Sequence, residues 1–253
     1  MSASKQRVTM LDALRGAAVI GMVLHHSVES FRIVFGSDYQ KYGDQLFFVD
    51  QILETQAFAA IQLAFVAIFL LVSGICTHYS RSVIKRGVVV FSAAMLMTVV
   101  TCWILPAIGM EGLNIYFGIL HMFGLSMLIY GLCSDFLQKI PSVIGFILSV
   151  VCFVLYYNFY LTEPVTDSWI LLPFGVLPDD IGAYADYYPL FPFFFLFLAG
   201  TYLGKLVKAG KFPKWFYTFR IPVLEFVGRQ SLWVYVFHQP VIFPIMLLIY
   251  NVL

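Results

Sequence analysis

Three apolar stretches of this chain each offer a histidine that could do chemistry. The histidines are His26 in LDALRGAAVIGMVLHH (Leu11–His26), His121 in IYFGILHMFGLS and His238 in GRQSLWVYVFHQP. An imidazole titrates near neutral pH, so it can take or give a proton, or it can ligate a metal. Ionisable groups within a bilayer cost several kcal/mol each, so they face protein or water and mark functional positions. On an α-helix the step from Arg15 to His26 returns to within about 20° of the same direction, about 16 Å further along. Asp12 and Glu29 fall within about 60° of that line, whereas His25 points about 100° away from His26 and reads as structural. One helix face thus runs from an Asp/Arg pair to a histidine, which suits something that reaches from one side of a membrane toward the other.

The other two stretches carry their own signals. Gly118, His121 and Gly124 recur every third residue, which lets a second helix approach closely beside the histidine. Ser231, Tyr235 and His238 share one helical face. Pro240 removes the bond to the Val236 carbonyl and kinks the helix beside His238 and Gln239. Acid/base work fits these groups better than ligation. No paired-histidine spacing supports haem and no second carboxylate joins the histidines, so neither metal nor haem is expected.

The elements that must position these groups are membrane helices. The chain has 253 residues, 61% hydrophobic and 11% charged, with mean hydropathy +0.88. A soluble domain would carry about twice that charge fraction. The expected fold is all-α, a polytopic transmembrane helical bundle forming a single domain over 1–253. Its seven spans fall near 11–33, 52–77, 87–105, 115–133, 141–161, 189–207 and 231–250. The first is read as an uncleaved span rather than a signal peptide. Spans three and five hold no ionisable residue between their ends, face lipid, and make a homodimer feasible. Polar groups instead place a cavity among spans one, two, four, six and seven. Cys76, Cys102, Cys133 and Cys152 are scattered without metal-ligand spacing and read as small buried hydrophobes. Nothing in the charge pattern suggests nucleic acid.

Basic residues set the orientation. Lys5, Arg7, Arg15, Arg81, Lys85, Arg86, Lys139, Lys205, Lys208, Lys211, Lys214, Arg220 and Arg229 fall on one side, against Arg32 and Lys41 on the other. The positive-inside rule then puts the N-terminus in the cytoplasm. The opposite joints are acidic: Asp38, Asp44, Asp50, Glu54, Glu111, Glu163, Asp167, Asp179, Asp180 and Asp186. The long joint from Thr162 to Tyr188 can fold over that outer face.

Five motifs occur in order: LDALRGAAVIGMVLHH, FLLVSGI, YFGILHMFGLS, DYYPLFPFFFLFLAGTYLGKL and LEFVGRQSLWVYVFHQPV. Together, from about Thr9 to Val241, they resemble the catalytic-domain family of heparan-α-glucosaminide N-acetyltransferase in a compact bacterial form. The resemblance implies an integral protein of the bacterial plasma membrane that takes an acetyl group from cytoplasmic acetyl-CoA. The acceptor is an amine or hydroxyl at the opposite face, such as a sugar, an envelope glycan or a small metabolite. It places family motif residues on Arg15, Gly16, His26, His121, Asp186 to Pro192, Arg229, Ser231, His238 and Gln239. Glu29 departs from it, standing three residues after His26 where an acidic residue four after is expected.

In that reading Arg15, Arg229, Lys205 and Lys208 meet the CoA phosphates and His26 acts as general base. His121, Gln239 and Ser231 are candidate donors to the thioester oxygen as it gains charge. Asp186 binds the acceptor or orients a histidine, and His238 belongs to the catalytic set. Direct transfer and a covalent acetyl-histidine both remain open. The rival reading is a proton-coupled transporter that uses the same histidines as a relay. The absence of internal repeats counts against it.

Overall fold

The computed structural model describes residues 8–110 and 112–252, so Lys5, Arg7 and Glu111 of the charge pattern lie outside the described residues. Among the described residues the helices are α1 (Thr9–Phe35), α2 (Tyr39–Leu53), α3 (Gln56–Cys76), α4 (Val83–Val99), α5 (Leu105–Ala107), α6 (Ile119–Leu137), α7 (Ser142–Tyr160), α8 (Leu190–Lys208), α9 (Lys214–Thr218), α10 (Pro222–Arg229) and α11 (Ser231–Val252). The only strands among them are two of two residues each, Val165–Thr166 beside Leu177–Pro178 in parallel. Among the described residues seven helical segments are long and apolar enough to cross a membrane: Thr9–Phe35, Gln56–Tyr79, Val83–Ala107, Ile119–Leu137, Ser142–Tyr160, Leu190–Lys208 and Ser231–Val252. The chain is an all-α, seven-span polytopic membrane protein, as its hydropathy pattern requires.

The span limits moved where a side chain claimed the backbone. The second span starts at Gln56 rather than near 52, because Thr55 intervenes. Its hydroxyl donates to the Ile52 carbonyl at 2.7 Å and accepts from the Phe58 N–H at 3.1 Å, ending α2 and capping α3. The fourth span starts at Ile119 rather than near 115. The Ile115 carbonyl accepts from Thr98 Oγ1 at 2.8 Å and its N–H donates to Thr101 Oγ1 at 3.1 Å, so side chains of the preceding span hold this residue's backbone outside the helix. Between α4 and α5 the turn Val100–Ile104 is a π-helix. The joint after the first span also contains α2, an amphipathic helix that burial places with Tyr42 and Leu46 inward. The last span runs as one helix through Pro240 and Pro244.

The chain forms two compact units, Met1–Val72 with Phe212–Leu253, and Ser73–Lys211. In the first, α1 packs on α10 and α11, and Val34, Phe35, Tyr42 and Leu46 form a core against Phe243, Met246 and Tyr250. In the second, α4 packs on α6, and α8 lies against both α6 and α7. The centre of this unit is α8, where Phe197 and Ala199 are fully buried. Outward residues on α4 (Val88, Val89, Leu96) and α7 (Ile144, Ile147, Leu155) are apolar and exposed, as expected of helices that meet lipid.

The contact between α1 and α10 is made by backbone. A Cβ on Gly16 would overlap the Leu224 carbonyl, and one on Gly228 would overlap the Asp12 carbonyl. Glycine at both positions lets the two helices touch main chain to main chain. Gly228→Ala is therefore expected to lower stability by about 1–3 kcal/mol through overpacking. A thermal unfolding curve in detergent checks this. An unchanged midpoint would mean that the helices do not approach this closely.

Candidate functional site

In the first unit, two polar groups lie at different depths on α1. The first is charged and depends on the α1–α10 crossing. Asp12 is buried on the first turn of α1, with Arg15 Nη1 at 3.6 Å from its Oδ1 and Arg229 Nε at 4.0 Å from its Oδ2. Arg15 Nη1 also donates to the Gly228 carbonyl at 3.4 Å. Beside them, Glu225 is only 1% exposed. It accepts from Arg220 through Nε at 3.3 Å and Nη2 at 3.2 Å, and from Arg229 Nη2 at 3.2 Å. Among the described residues the cluster sets three guanidiniums against two carboxylates, leaving one positive charge in excess. Arg229 and Arg220 are partly exposed, at 43% and 63% of their side chains, so they remain open to an anion.

The second group lies three turns along α1, about 16 Å from Arg15 by helical rise. His26 Nδ1 is 2.9 Å from Glu29 Oε2. A carboxylate only accepts, so the ring donates from Nδ1 and its lone pair sits on Nε2. His25 Nε2 is 3.3 Å from the other oxygen of Glu29, an ion-pair distance without hydrogen-bond alignment. The His25 ring also stacks on Phe58 with centroids 4.9 Å apart. One carboxylate thus holds both histidines.

From α11, the His238 ring lies 5.0 Å from that of His26. Its Nδ1 bonds the Tyr235 carbonyl, which makes Nδ1 the protonated nitrogen, while Nε2 is buried with no hydrogen-bond partner among the described residues. Ser30 Oγ donates to Gln239 Oε1 at 3.2 Å, fixing the amide so that its NH2 is the end left to donate. Ser231 opens α11, about 10 Å by helical rise from His238 and at the Arg229 end of the helix.

In the second unit, His121 and Asp186 meet at the N-terminus of α6. His121 is 2% exposed. Its Nδ1 accepts from the Gly118 N–H at 3.1 Å, and its Nε2 lies 3.1 Å from Thr98 Oγ1. Since Thr98 donates to Ile115, its oxygen accepts from His121, and both ring nitrogens are occupied within the fold. Asp186 Oδ2 accepts from the Ile119 N–H at 3.3 Å, a carboxylate on the positive end of α6. Lys205 Nζ donates to the carbonyls of Gln138 at 2.8 Å and Ile140 at 3.0 Å, just past the C-terminus of α6. Lys208 ends α8 and is exposed.

The structure thus brings Arg15 to Arg229, and His26 to His238 and Gln239. It sets His121 and Asp186 on neighbouring backbone N–H groups at the start of α6 and turns Lys205 onto backbone. Sequence reasoning missed Glu225, although its spacing of four before Arg229 on a helix was available. It also set His25 apart from His26. An acid three residues after one histidine and four after the other reaches both across their 100° separation.

A protein-family model described as "Heparan-alpha-glucosaminide N-acetyltransferase, catalytic" matches residues 7–240. No curated protein and no solved structure matches the chain.

Outside the spans, the hydrogen bond from Arg220 holds the Glu225 carboxyl below its ordinary value of 4.5; the charges of Arg220 and Arg229 act the same way, against the effect of burial. A depressed folded-state pKa contributes stability in full above the ordinary value, and that contribution is lost as pH falls through the folded value. Glu225→Gln should therefore be less stable than wild type above pH 4.5, with a shallower loss of thermal midpoint in acid. Parallel acid profiles for the two proteins would contradict this pairing.

Proposed function

This chain belongs to the heparan-α-glucosaminide N-acetyltransferase catalytic family and is a membrane-bound, acetyl-CoA-dependent acetyltransferase, and on that premise we propose which of its groups hold the donor and which move the proton. Acetyl-CoA reaches the chain from the cytoplasm, the side of the N-terminus and of the Arg15–Arg229 cluster. The phosphates of CoA meet Arg229 and Arg15, with Ser231 on the same side, because the excess positive charge there is partly open to solvent. The long arm of CoA lies along α1 and brings the thioester toward His26. The acceptor, an amine or hydroxyl of a sugar or envelope glycan, comes from the opposite face of a bacterial plasma membrane.

The observation that carries this reading is the Glu29–His26–His238 arrangement. Glu29 orients His26 and stabilises the imidazolium that forms when Nε2 takes the acceptor's proton. The acceptor's nitrogen or oxygen attacks the thioester carbon, the C–S bond breaks, and the thiolate recovers a proton from the imidazolium. As the carbonyl oxygen gains charge, the Gln239 amide donates to it. An amine arrives protonated and must lose one proton before attack and one during it. The unpaired Nε2 of His238 supplies the second base that such an acceptor needs. His121 and Asp186 serve this chemistry by position, fixing the start of α6 and the loop before α8.

In proteoliposomes, His26→Ala is expected to lose acetyl transfer by about 10²- to 10⁴-fold with acetyl-CoA binding unchanged. Arg15→Ala and Arg229→Ala are expected to weaken acetyl-CoA binding by roughly 10- to 100-fold each. Full transfer by a folded, acetyl-CoA-binding His26→Ala protein would overturn the assignment. Unchanged binding by both arginine variants would move the cofactor elsewhere.

A further inference from the structure

The segment that joins α8 to α11 does not cross the membrane, yet its outward face is apolar. Trp215 on α9 is 57% exposed, Phe219 in the extended joint after it 46%, and Val223 and Phe226, three apart on α10, 70% and 66%. The inward side holds Phe216, Glu225 and Gly228, buried against α1. This is the reverse of a short helix in water, which turns its apolar face inward. Among the exposed apolar residues stand three exposed cations, Lys214, Arg220 and Arg229, and the one acid of the segment, Glu225, is buried.

Two contacts fix the depth of this face. Thr9 Oγ1 donates to the Phe219 carbonyl at 3.1 Å, and Gly228 lies on Asp12 and Gly16. The segment is therefore moored to the first two turns of a membrane-spanning helix, within about 10 Å of its end. That is the zone where a bilayer passes from headgroup to acyl chain. Aromatic side chains at that level, Trp above all, insert between lipids, while nearby Lys and Arg attract anionic headgroups.

We infer that Lys214–Arg229 is an in-plane membrane element that inserts Trp215, Phe219, Val223 and Phe226 into lipid and selects anionic headgroups through Lys214 and Arg220. The occupant of this face is the lipid surface itself, argued from charge complementarity and from the depth of the mooring. Since α10 also carries Arg229 and Glu225, the lipid bed holds the charged cluster against α1. The inference concerns the surface alone and stands whichever ligand that cluster binds.

The test uses the full chain in phosphatidylcholine vesicles, with Trp103, Trp169 and Trp233 replaced by phenylalanine so that Trp215 alone reports. A minority of lipid brominated near the top of the chain is added, either as phosphatidylglycerol or as phosphatidylcholine. Strong quenching is expected, greater for phosphatidylglycerol at equal content, with little quenching by aqueous iodide. Lys214→Glu should erase the difference between the two lipids and keep the quenching. Quenching by iodide in place of bromolipid would overturn insertion. Protection from both quenchers would mean that a second copy of the chain covers the face, which also overturns it. Equal quenching by both bromolipids would overturn the anionic preference. If the triple replacement fails to fold, the difference signal between wild type and Trp215→Phe gives the same readings.

Discussion

The main-chain contact between α1 and α10 is the constraint on which the charged site rests. Two glycines, Gly16 and Gly228, face the carbonyls of Leu224 and Asp12, and no larger residue fits at either position. This approach brings Arg15 from one helix to Arg229 from the other around Asp12. A buried aspartate with no cation would cost several kcal/mol, so helix packing and charge pairing stand or fall together. The same logic governs the second group on α1. Two histidines and a glutamate sit together within a span, Glu29 bonding His26 and lying at ion-pair distance from His25, and α11 adds His238 and Gln239 to the set.

The second unit uses polar side chains differently. His121, Thr98, Thr101 and Asp186 spend their hydrogen bonds on the backbone around Gly118 and Ile115. Lys205 does so at the other end of α6. Within a bilayer the free backbone groups at a helix end find no water to bond, so side chains from neighbouring elements must close them. A histidine or lysine inside an apolar stretch can thus be a cap as readily as a catalyst. The deciding observation is whether a ring nitrogen remains uncommitted among the described residues, as it does in His238 and not in His121.

Much of this was legible in the sequence because it depends on local period. Hydropathy gave all seven spans, and the eleven-residue step placed Arg15 and His26 on one face of α1. The spacing at Gly124 does mark a close helix approach, since this residue packs against the Phe91 backbone on α4. Gly118 instead caps α6 and faces Asp186 rather than another helix. Pairings between residues far apart in the chain had no local signal. Asp186 meets Ile119 across 67 residues and Ser30 meets Gln239 across 209. The short α2 was invisible to a search for long apolar runs, and Thr55 looked like any polar joint residue until its hydroxyl proved to serve two helices.

The most direct measurement is a structure of the chain with a non-transferable acetyl-CoA analogue bound in a lipid bilayer mimic. The expected result has the CoA phosphates at Arg15 and Arg229, the arm alongside α1, and the thioester position within reach of His26 Nε2. Phosphates bound away from both arginines, or a thioester far from His26 and His238, would contradict it.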